Sequence, residues 1–217
     1  LGKLKGGPLV GIIGSIGVRR DAAAVPALAG RLNDSDAVVA RAAARALGSI
    51  GNIQAAQALQ KALPNAPAGN RLDACEGLFR CAERLAADKQ NSEAIAIYDQ
   101  LRKLDSPHQV RGGALKGAIL ARGAEGVTLL QENLRSPDYI LFSAAVQAAQ
   151  RMPGAEVTKA LADGMKNLPP DNQVVVIQTL ASRGDKRALP VLFAAADSGP
   201  KPVRIAAIEE RLASTFT

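Results

Sequence analysis

The chain has 217 residues and a net charge of +7; 47% are hydrophobic but only 3% aromatic, and tryptophan is absent. The length suffices for a substantial core, yet the shortage of large aromatics argues against a conventional globular interior and for thin, closely packed helices. No apolar run reaches the length of a membrane-spanning helix, so no span is expected.

Residues 8–17, PLVGIIGSIG, read as the end of a helix, after a start at Leu1–Gly7 that holds three glycines and two lysines. Because the chain begins with leucine inside a pattern, it is read as a fragment of a longer protein.

Asp21–Gly51 is the clearest stretch. Asp21 suits an N-cap, where a carboxylate meets free N–H groups and the positive end of the helix dipole. Val25, Leu28 and Leu32 then form one apolar stripe, with Pro26 early, where a missing N–H costs least. Asn33-Asp34-Ser35-Asp36 breaks that helix and caps the next. There Val39, Ala43, Ala46, Leu47 and Ile50 share a face, and Gly51 ends it. The result is a helical hairpin that cannot bury its stripes alone, so repeated copies are expected. Gly14-Ser15-Ile16-Gly17 returns as Gly48-Ser49-Ile50-Gly51, a spacing of 34.

Further along, helices are expected over 53–63, 70–87, 93–104, 108–122, 127–134, 139–152, 155–167, 173–183, 186–197 and 203–214. The breaks between them hold Pro, Gly, Asp and Asn. Val174-Val175-Val176-Ile177 is the one strand-like run. Asp185…Ala188-Leu189-Pro190 repeats Asp21…Ala24-Val25-Pro26. The tail Ser214–Thr217 follows the last helix. About eleven helices form five hairpins behind a partial one, recurring every 30 to 37 residues, as one continuous array over 1–217.

Catalytic signatures are absent. The glycines of 11–17 lack phosphate-loop spacing. His108 is the one histidine, so no metal site or His-based triad can be assembled. Cys75 and Cys81 are too far apart along one helix for a disulfide and read as small core residues. No cofactor is implied.

Charge is more informative. Residues 1–123 hold 17 Lys/Arg and 10 Asp/Glu, against 10 and 10 in the remainder. Aligning second helices on their inward residues gives an outward ladder of Arg45, Arg80, Lys116, Gln147 and Gln178. Arg41 and Arg84 lie one turn from its members. These five basic residues, Arg41, Arg45, Arg80, Arg84 and Lys116, are the candidate binding strip for an acidic segment or polyanion. The alternative is a solvated face with arginines bridging nearby carboxylates. The shortage of stacking aromatics speaks against nucleic acid.

Asp-x-x-Ala-Val-Pro-Ala-Leu, an Asp-rich turn, then Val-x-Arg-Ala-Ala-x-x-Ala-Leu-Gly-x-Ile-Gly resembles the HEAT-like repeat, especially the short bacterial type named after phycobilisome lyases. Val110-Arg111 and Val203-Arg204-Ile205-Ala206-Ala207 match the start of its second helix. The resemblance implies an all-α, right-handed α-solenoid of stacked antiparallel pairs, with second helices on the concave face. It also implies a scaffold or interaction module for a protein partner, often an accessory arm of a larger bacterial protein. Lyases and DNA-base glycosylases also occur in the family.

Overall fold

The computed structural model describes residues 4–215; residues 1–3 of the glycine- and lysine-bearing start and 216–217 of the tail lie outside the described residues. Thirteen α-helices, rather than about eleven, occur among the described residues, and no strand does. Two compact units, Leu1–Asp105 and Ser106–Thr217, divide the chain.

The first unit holds α1 (Gly6–Arg19), α2 (Val25–Ala29), α3 (Ala37–Ile50), α4 (Ile53–Ala62), α5 (Ala68–Ala87) and α6 (Asn91–Arg102). Helices α1, α3 and α5 pack side by side as one layer, while α2 and α4 pair in the other. The second unit holds α7 (His108–Ala121), α8 (Gly126–Leu134), α9 (Tyr139–Arg151), α10 (Ala155–Met165), α11 (Pro170–Ser182), α12 (Leu189–Ser198) and α13 (Lys201–Thr215). There α7, α9, α11 and α13 form the second-helix layer, and α8 pairs with α10.

Local chemistry sets each boundary. Asp21 accepts from the Ala23 N–H but caps a 3-10 turn, Ala22–Ala24, before the short α2 that Pro26 opens. Asp185 does the same for the 3-10 turn Lys186–Ala188 before α12. The shared Asp…Pro signature therefore encodes a tight turn plus a helix, not one continuous helix. Asp36 caps α3 through the Val38 N–H, and Gly51 ends it at φ 69°, a left-handed conformation that glycine takes without steric cost. The β-branched run 174–177 is helical within α11. Pro170 starts that helix, and burial of Val176 and Ile177 outweighs strand propensity.

The caps also correct the repeat length. The second helices start after Lys5, Asp36, Pro67, Pro107, Asp138 and Pro169. Pro200 occupies the same place before α13, its carbonyl accepting from Arg204 N at 2.9 Å. Successive starts are 31 residues apart, except for 40 between Pro67 and Pro107. The 34-residue spacing of Gly-Ser-Ile-Gly is thus not the structural period: α1 runs to Arg19 and takes its left-handed cap at Arg20, 31 residues before Gly51. Much of the extra length between Pro67 and Pro107 is in α5, which has 20 residues against 14 in α3. Where Gly51 stops α3, α5 continues through Ala82, Glu83 and Arg84, all compatible with helix.

Small residues bring the second helices close. A Cβ on Gly17 would stand 2.8 Å from the Ala46 Cα, and one on Gly48 2.7 Å from the Gly77 Cα. Large side chains fill the space toward the other layer: Leu28, Leu47, Leu59 and Leu78 are fully buried.

This packing makes one substitution change sign with position. Gly48→Ala is expected to destabilise by about 1–3 kcal/mol through overpacking. Gly14→Ala, exposed in α1 with nothing within 4 Å of its Cβ, is expected to stabilise by up to about 1 kcal/mol through helix propensity. Urea unfolding of the two variants checks both signs.

Candidate interaction face

On α3, Arg41 and Arg45 lie one turn apart and point away from the buried Ala40, Ala43, Ala44 and Leu47. The neighbouring helix α5 sets Asp73 between them. Its carboxylate lies 3.7 Å from Arg41 Nε and 3.8 Å from Arg45 Nε. Arg80 and Arg84, also on α5, reach along their own helix: Arg80 donates to Glu76 at 2.6 Å and Arg84 to Asp88 at 3.1 Å. All four arginines remain roughly half exposed, so each pair adds at most about 1 kcal/mol to stability and chiefly fixes side-chain geometry. Leu72, half exposed, stands beside Asp73.

The structure brings Arg41, Arg45, Arg80 and Arg84 onto one face of the first unit, interleaved with acids. Lys116 belongs to α7 of the second unit, where its Nζ donates to Gln147 Oε1 on α9 at 3.5 Å. Counted from the caps, the ninth residue of each second helix from α3 onward is Arg45, Glu76, Lys116, Gln147, Gln178 and Glu209. Arg80 therefore sits one turn beyond the ladder position, which Glu76 holds. The apolar face of α5 repeats every turn along a long helix, so alignment on inward residues tolerates a one-turn slip; the Pro67 cap removes it. Asp73 and Glu76, which sequence reasoning missed, are found by adding 31 to Ala42, beside Arg41, and to Arg45 itself.

At one end of this face, Arg20, Ser49, Arg80, Glu83 and Arg84 line an open groove. Arg20 takes φ 53° as the cap of α1, and no carboxylate among the described residues pairs with it.

The remaining candidate chemistry is quiet. His108 is exposed at the first position of α7. No group of three His, Cys, Asp or Glu side chains among the described residues could hold a metal ion. Both cysteines are free and buried. Burial pushes the Cys81 thiol up to about 12, far from the thiolate that nucleophilic chemistry needs. No helix among the described residues is long and apolar enough to cross a membrane.

In the second unit the salient polar group is structural. Arg183, at the end of α11, donates to the Met152 carbonyl at 2.7 Å, to the Gly154 carbonyl at 3.1 Å and also to the Ala149 carbonyl. These carbonyls lie at or just past the C-terminus of α9, where free acceptors and the negative end of the dipole favour a cation. Asp185 accepts from the Thr158 hydroxyl at 2.8 Å. Its carboxyl is held below the usual range by the Arg187 backbone N–H first, then by Thr158.

Fold and face together define an all-α protein of stacked helix pairs, an α-solenoid. Residues 10–78 match the family model of HEAT repeats, so the chain carries HEAT-like repeats. No curated protein matches it. Among solved structures it is similar to human deoxyhypusine hydroxylase in complex with glycerol, at 18% identity over 93% of this chain and 77% of that one, with a TM-score of 0.44. It is also similar to a crystallised engineered protein, at 20% identity over 94% of this chain and 85% of that one, with a TM-score of 0.40.

Arg183→Met should cost about 2–4 kcal/mol, because several carbonyls lose a charged donor at once. Arg183→Lys should recover part of that loss. Urea unfolding monitored in the second unit checks the order wild type, Lys, Met.

Proposed function

We propose that the protein is a non-enzymatic scaffold whose first unit binds a protein partner across the α3–α5 face. The partner would be a polar segment carrying both charge signs around an apolar anchor. The observation that supports this most is the interleaving of Arg41, Arg45, Arg80 and Arg84 with Asp73, Glu76 and Asp88, next to the exposed Leu72. Alternating signs give a face specificity and register more than raw affinity. The likeness to the short bacterial HEAT-like type adds that the chain works as an arm of a larger bacterial protein.

The same interleaving weakens the competing reading, a binder of nucleic acid or another polyanion through Arg41, Arg45, Arg80, Arg84 and Lys116. Phosphate would have to displace a carboxylate at each of the four arginines. It would also find no aromatic platform on this face. A lyase or glycosylase reading has no buried acid or reactive thiol on this face to support it.

Two measurements test the proposal. A photo-crosslinking residue at position 72 should give a discrete protein adduct in cells, and Arg45→Glu should reduce it at least about fivefold. Heparin and duplex DNA should not bind at micromolar concentration in about 150 mM salt. Tight DNA or heparin binding that falls about a thousandfold between 50 and 200 mM salt would overturn the protein-partner reading.

A further inference from the structure

The second helices differ in the residue they place at one backbone position. The residue of positive φ that follows α1, α3, α5, α7, α9 and α11 is Arg20, Gly51, Lys89, Gly123, Gly154 and Gly184, with φ of 53, 69, 63, 56, 102 and 65°. Glycine takes such a backbone without steric cost, whereas a residue with a Cβ is strained there. Arg20 and Lys89 are the two non-glycine residues at positive φ among the described residues. Both are basic, and both belong to the first unit.

Helix chemistry does not account for them. A cation is favoured near a helix C-terminus, but the position just before the left-handed residue gives that gain without strain. The second unit uses that position. Arg122 and Arg183 precede Gly123 and Gly184 and turn to backbone carbonyls, Arg122 to Ala118 at 3.0 Å and Arg183 to Met152 at 2.7 Å. In α1 the counterpart of Arg183 is Arg19, whereas Arg20 stands where Gly184 does. The side chains of Arg20 and Lys89 are exposed and make no hydrogen bond or ion pair with the described residues.

A groove runs between these two residues along the edge of the first unit. Arg20 lines one end, and Asp88 and Gln90, on either side of Lys89, line the other, with Gly51, Gln57 and Arg84 between. Gly51 keeps the floor low, since a Cβ there would stand 3.1 Å from the Arg84 Cβ. Arg84 is held by Asp88, which leaves Arg20 and Lys89 as the unpaired cations. The exposed amides of Gln57 and Gln90 suit hydrogen bonds to a peptide backbone. Two helix spacings separate α1 from α5, about 16–20 Å, which is the reach of about five or six extended residues. We propose that this groove takes an extended peptide segment with carboxylates at its two ends, on Arg20 and Lys89, and neutral polar residues between them. Asp88 and the nearby Glu83 disfavour an unbroken row of negative charge. That the ligand is a peptide rests on the protein-partner reading above; the groove and its charges do not.

The probe is a synthetic peptide with two glutamates on either side of four Ser/Gly residues. Titrated into the isotope-labelled chain at about 50 mM salt, it should shift the backbone amides of residues 20, 51, 57, 89 and 90, with a Kd of about 0.1–1 mM. A double variant, Arg20→Gly with Lys89→Gly, should bind at least about tenfold more weakly. Its melting temperature should rise by about 2–4 °C as the backbone strain is removed, so unfolding cannot explain the lost affinity. Four results would each overturn the proposal: no shift at those amides, equal binding by the same peptide with glutamine for glutamate, unchanged affinity in the double variant, or a lowered melting temperature in it. Peptide binding without the crosslinked adduct at position 72 would sink the α3–α5 reading and leave the groove standing. The adduct without peptide binding would do the reverse.

Discussion

The distance between consecutive second helices governs the structure. Gly17 lies against Ala46 and Gly48 against Gly77 so closely that a single added methyl on either glycine would press into backbone. That approach is possible only with small residues, which contribute little burial each. Leu28, Leu47, Leu59 and Leu78, turned toward the other layer, supply the larger areas. Each helix pair is therefore stabilised mainly by its neighbours, as expected of a repeat array in which no hairpin folds alone. The scarcity of aromatic residues follows from the same constraint, since a ring at these crossings would force the layers apart.

The 31-residue period is the bookkeeping of that contact. Asp36 and Pro67, then Pro107, Asp138, Pro169 and Pro200, restart a second helix at the same phase, so equivalent residues face equivalent neighbours. Helix α5 departs from the period by running on past the point where Gly51 stops α3. It thereby lays the Arg84 side chain 3.1 Å from where a Cβ of Gly51 would be. The extended end of α5 also supplies Arg84 and Asp88 to the charged face. One irregular helix thus enlarges the surface on which the functional proposal rests.

Much of this was legible before any coordinates. The apolar stripes of 37–50, the cap at Asp36, the stop at Gly51 and the buried state of Cys75 and Cys81 follow from residue chemistry within one or two turns. The period did not follow from the most visible repeated string, Gly-Ser-Ile-Gly, because identical glycines occupy different phases: Gly17 is a crossing point inside α1, whereas Gly51 is a helix cap. The ladder of outward residues failed at Arg80 for a related reason. An amphipathic helix longer than its neighbours looks the same after a one-turn shift, and only its capping residue fixes the phase. The acids that neutralise Arg41 and Arg45 come from another helix, so a reading confined to each helix could not place Asp73 between them. Arg183 was equally invisible, since its acceptors are backbone carbonyls, which carry no mark in the sequence.

The close second-helix layer is tested most directly at the two native thiols. Both face the packed interior of the first unit, with Cys81 Sγ 3.8 Å from the Leu47 carbonyl of the adjacent helix. A small aromatic disulfide reagent applied to the folded chain should label neither cysteine faster than the protein unfolds, and should label both promptly in denaturant. Rapid reaction of one full equivalent with the folded chain would contradict the packing on which the rest of the structure is built.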